Sequence, residues 1–86
     1  MTTQAQGALS RLINEKAELD NNITKLDAFL ERLRSDEAFR LSCGIDVLEQ
    51  DIMYRQIRTQ RELSAILGQR INFLKAKVEA EQKEDA

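Results

Sequence analysis

Arg55, Arg58 and Arg61 stand at every third position of one stretch, with Tyr54, Gln56 and Gln60 beside them. Three guanidiniums within two helical turns can hold a phosphate or carboxylate through forked hydrogen bonds. A tyrosine ring next to them offers a flat base a surface to stack on. The expected chemistry is therefore recognition of a nucleotide-type anion by Tyr54, Arg55, Arg58 and Arg61. The competing reading is a solvated basic face whose arginines pair with acids of a neighbouring helix.

Little else in the chain can do chemistry. Glu15, Glu18, Asp20 and Asp27 form no set with a base, a nucleophile or a further metal ligand, and they read as surface charge. Cys43 is the single cysteine, so no intrachain disulfide can form, and it reads as a structural or incidental thiol. Histidine is absent, which removes zinc sites and Ser-His or Cys-His machinery from consideration. The expectation is a binding protein: not an enzyme, with no metal and no cofactor.

The 86 residues allow one small domain. Proline is absent, glycine occurs three times, and a third of the residues are charged. That is the composition of long amphipathic helices and not of a disordered chain. A net charge of −2 gives no general attraction to nucleic acid or anionic membranes. No motif for sequence-specific nucleic-acid binding is visible. No apolar run reaches membrane-spanning length, and the first residues lack the features of a signal peptide. A cytoplasmic protein is expected.

The elements that must position the arginines follow from apolar spacing. Thr3 and Gln6 fit a capping box that opens a first helix at about residues 3–34. Leu12, Leu19, Leu26 and Leu33 recur every seven residues, with Leu9, Ile23 and Leu30 on the other seam position and Lys16 as its polar intruder. Ser35-Asp36-Glu37 breaks this pattern, and residues 35–45 read as a connection in which Phe39 and Leu41 plug the end of a hairpin. Either Ser42 or Asp46 can cap the second helix, which starts between residues 43 and 47 and runs from about 46 to 83.

That second helix is the centre of the design. Met53, Ile57, Leu67, Ile71, Leu74 and Val78 make one seam; Leu48, Ile52, Leu63, Ile66 and Phe73 make a second beside it. Between Ile52 and Val78 six basic residues face a single acid, Glu62. The fold class expected is all-α: an antiparallel two-helix hairpin in a single domain, assembling into a homo-oligomeric helical bundle. A turn near residue 39 would set residue i opposite 78 − i, with Lys16 meeting Glu62. It would also leave the end of the second helix uncovered. Leu63, Ser64, Leu67, Gly68, Ile71, Phe73, Leu74 and Val78 are therefore the expected oligomer interface, with Ser64 and Gly68 allowing close approach of a helix backbone.

Two stretches carry a resemblance. Glu15-Lys16-Ala17-Glu18-Leu19-Asp20-Asn21-Asn22-Ile23-Thr24-Lys25-Leu26-Asp27-Ala28-Phe29 resembles the opening helix of small accessory proteins of tailed bacteriophages and prophages. Ile66-Leu67-Gly68-Gln69-Arg70-Ile71 is similar to the end of their second helix, while residues 42–60 match poorly. The resemblance implies a phage-type counter-defence protein with a helical-hairpin fold and no catalytic residues. It would act inside an infected bacterium by sequestering a host component, preferably a nucleotide signal. The alternatives are a protein–protein inhibitor of a host defence complex, of anti-CRISPR type, and a structural coiled-coil subunit.

Overall fold

The computed structural model describes residues 4–84, and Thr3 of the expected capping box lies outside them. The described residues are all-helical, as the composition leads one to expect, but they form three helices: α1 (Gln4–Ser35), α2 (Glu37–Cys43) and α3 (Val47–Glu84). The molecule is a rod of 62 × 17 × 16 Å.

The extra helix corrects the expected connection at residues 35–45. Asp36 interrupts the helical path in extended conformation, and its carboxylate then accepts from the backbone N–H of Phe39 at 3.0 Å. One residue thus ends α1 and caps α2. Gly44, at φ +65°, closes α2 in the left-handed conformation that only glycine adopts at no steric cost. Asp46 then caps α3, its carboxylate accepting from the Glu49 N–H at 2.8 Å.

Because α2 carries the chain on as far as Gly44, the reversal comes later than residue 39. Asp20 meets Ser64 and Asp27 meets Arg61, sums of 84 and 88 in place of 78. α1 and α3 therefore run side by side in opposite directions with a register shifted along α3. Val78 is buried, and the shifted register sets it opposite the buried Ala5.

The core is in two parts. Near the reversal, Leu30, Leu33 and Ile57 are packed by Ile23, Leu26, Phe29, Phe39, Ile45, Met53 and Tyr54. Phe39 meets Phe29 edge-to-face at 5.8 Å, and the Arg32 guanidinium lies over the Phe39 ring, 3.7 Å from its centre. Phe39 is thus the plug; Leu41 is left exposed. Toward the far end, Leu12, Leu67 and Ile71 are packed by Leu9, Leu19 and Leu74.

A polar junction separates the two clusters. Lys16 donates to the Asp20 carboxylate at 2.7 Å, and Ser64 donates to its other oxygen. Lys16, then Ser64, hold the Asp20 carboxyl below its ordinary range. The seam lysine is therefore compensated on its own helix, four residues on, and the expected pairing with Glu62 does not form. The register shift is the reason.

Candidate functional site

α3 presents two seams at heptad spacing, one residue apart. The inner one (Met53, Ile57, Gln60, Ser64, Leu67, Ile71, Leu74 and Val78) lies toward α1. The outer one (Ile52, Gln56, Thr59, Leu63, Ile66, Arg70 and Phe73) is exposed along its whole length. Ile52 and Ile66 are each about half exposed, and Phe73 is 72% exposed. A phenylalanine so open on a regular seam is a surface waiting for contact.

Two open grooves lie along this outer seam. The first is lined by Ile52, Arg55, Gln56, Thr59 and Gln60. The second is lined by Ile66, Gln69, Arg70, Phe73 and Leu74. Both are built from α3 alone, and their positions repeat after two heptads. Gln60 contributes a buried side-chain oxygen that has no hydrogen-bond partner among the described residues.

The structure divides the arginine set. Arg55 is exposed in the first groove and tied to Asp51, four residues back, at 3.6 Å. Arg61 turns the other way and reaches across to Asp27 of α1 at 3.0 Å. Arg58, between them, is exposed and has no ion pair among the described residues. Tyr54 packs half-buried against the Leu30–Leu33–Ile57 cluster, so much of its ring belongs to the core. The drift of a three-residue repeat around a helix explains the split, because each step falls short of a full turn by about 60°.

The residues expected at an oligomer interface divide as well. Leu67, Ile71 and Val78 are buried within the single chain, and Leu74 packs on the far cluster. Ser64 is occupied by Asp20, and Gly68 faces the aliphatic stem of Lys16. Leu63 and Phe73 remain open. α1 covers what the shorter register would have left bare.

Sequence reasoning missed the second groove, although a signal for it exists. Ile52-x-x-Arg55-Gln56 and Ile66-x-x-Gln69-Arg70 are two copies of one pattern, fourteen residues apart. Arg70 and Gln69 therefore stand where Gln56 and Arg55 stand two heptads earlier.

Among the described residues no helix is long and apolar enough to cross a membrane, and no cluster of acids and thiols could hold a metal. The family model described as Sequestin matches residues 6–73, which take in nearly all of α1, all of α2 and α3 as far as Phe73 in the second groove. The chain belongs to that family. No curated protein and no solved structure matches it at a significant level.

Proposed function

We propose that this member of the Sequestin family works by holding a host molecule out of circulation, as the family's name suggests. The protein acts by binding and not by turnover, as a homo-oligomer of helical hairpins, in the manner of a phage counter-defence protein. Its preferred target is a nucleotide-type anion, a diffusible signal of the host. The observation that carries this reading is the outer face of α3, where exposed arginines flank open grooves that also hold apolar side chains and glutamines. Guanidiniums suit phosphate, apolar walls suit a base, and amides suit its edges.

Arg55 and Arg58 are the donors available without disturbing the fold. Arg61 can join them, because its pair with Asp27 lies at the surface and such pairs contribute little. Calorimetry with a panel of cyclic di- and trinucleotides tests the reading. At least one ligand should bind, and Arg55→Glu with Arg58→Glu should abolish its binding while helicity stays unchanged. Binding should weaken as salt rises, since open charges are screened over about 8–10 Å.

A second reading has its own support. Leu48, Ile52, Ile66 and Phe73 form an exposed apolar row, which also suits a protein surface. Under that reading the target is a host defence complex, no nucleotide binds, and a pull-down from host lysate returns the complex.

A further inference from the structure

The two grooves of α3 have walls on one side only: five residues of one helix each. A small molecule lying in either would keep its other face in water. We propose that the ligand site is completed by a second copy of this chain, docked antiparallel on the outer seam of α3 about a two-fold axis at Leu63. This deepens the nucleotide reading above and rests on it for the ligand's class.

The placement of the grooves carries the argument. They lie at equal distances along α3 on either side of Leu63, about 21 Å apart at the helical rise. Rotation about an axis at Leu63 brings residue i opposite 126 − i. Thr59 then falls opposite residue 67, beside Ile66, and Ile52 falls opposite residue 74, beside Phe73. The first groove of each copy closes onto the second groove of the other. A head-to-tail arrangement would also match groove to groove, but it leaves one groove open at each end and propagates. The two-fold closes both.

Charge agrees with the same axis. Glu49 and Asp51, exposed at the start of α3, come opposite Lys77 and Lys75 of the second copy, which are exposed near its end. Leu63, Ile52, Ile66 and Phe73 account for the apolar contact, and all four are open in the single chain.

Each of the two composite pockets then holds Arg55 and Gln56 from one copy with Gln69, Arg70 and Phe73 from the other. Arginines on opposite walls can grip a phosphate from both sides. The Phe73 ring offers stacking to a base. Gln60 lines the same pocket beside Arg55 and Gln56. The ligand class is a small phosphate ester bearing a flat ring, taken up two per dimer.

Two experiments on the full chain test this separately from the ligand's class. In a Cys43→Ser background, Leu63→Cys should oxidise to a covalent dimer in high yield. Mixed Ile52→Cys and Phe73→Cys chains should cross-link to each other more readily than either does to itself. Asn72→Cys, at an exposed position on another side of α3, should remain largely monomeric on denaturing gels. Cross-linking at residue 72 matching that at residue 63 overturns the two-fold.

The second experiment uses the fluorescent nucleotide mant-ADP. Arg55→Glu and Arg70→Glu should each lower its binding at least tenfold. Unfolding and remixing the two variants should restore binding to about one site in four, because half the dimers are mixed and each mixed dimer rebuilds one of its two pockets. No recovery in a mixture that cross-links normally overturns the composite pocket. Normal cross-linking in a wild type that binds neither mant-ADP nor any cyclic di- or trinucleotide of the panel overturns the nucleotide class and leaves the two-fold standing.

Discussion

The inner and outer seams of α3 run at the same heptad spacing, offset by one residue, and each carries apolar side chains with polar breaks. Ile57 of the inner seam is 4% exposed; Ile52 of the outer seam is 55% exposed. The inner seam is covered by α1, and its polar break at Ser64 is answered by Asp20. The outer seam has the same apolar pattern, and no element among the described residues covers it. Periodicity states that a face is to be covered. It does not state what covers it.

The largest effect expected separates the seams directly, with one residue type at both places. Ile57→Ala empties a packed position between Leu30 and Leu33 and should cost about 2–5 kcal/mol in urea unfolding, whatever the protein concentration. Ile52→Ala removes a side chain that the single chain leaves half open. Its effect on a dilute, monomeric sample should stay within about 0.5 kcal/mol. Any further loss should grow with concentration, because it belongs to the proposed assembly. Equal, concentration-independent losses at both positions would mean that the two faces do not differ in kind.

Much of the inner seam was legible, because leucines every seven residues in α1 have no alternative but to meet a matching stripe. Register was the weak link. Ser35-Asp36-Glu37 looks like a helix stop, and it is one, but Asp36 also restarts the helix within the same turn. That second role moves the reversal toward Gly44. It sends Lys16 to Asp20, covers Val78 and turns six of the eight residues expected at an oligomer interface toward α1. The arginines show a different limit. Their three-residue spacing names their types and order, while the side each takes depends on whether an acid of α1 lies within reach, as Asp27 does for Arg61.

Gly68 gives the next largest effect, and it sits between the seams in meaning. A small residue in mid-helix suggests a second backbone pressed close. In the single chain, a β-carbon at Gly68 would meet only the end of the Lys16 stem, at an ordinary 3.5 Å. Gly68→Ala should therefore raise stability by about 0.5–1 kcal/mol, through helix propensity and a less flexible unfolded chain. The assembly mass should not change, because the proposed contact runs through Leu63 and not through this side. A fall in mass on light scattering would show that a neighbouring helix rests on Gly68 after all.

The smallest effect probes the polar junction that divides the inner seam. Asp20 has its pKa lowered from the ordinary 3.8, first by the Lys16 hydrogen bond and then by Ser64. A carboxylate with a lowered folded-state pKa binds protons less readily in the folded chain than in the unfolded one. Its stabilisation is therefore fully present above pH 3.8 and fades as the pH falls through the lowered value. Asp20→Asn keeps the shape and can still accept from Ser64, but it loses the charge that holds Lys16. The variant should be slightly less stable than the wild type at neutral pH, and the two should converge in acid. The difference should be modest, since the group is close to water and screened. Glu62→Gln, which the alternative register would place against Lys16, should leave stability unchanged. A pH-dependent loss for Glu62→Gln and none for Asp20→Asn would return the junction to the earlier register and reassign the whole pairing of α1 with α3.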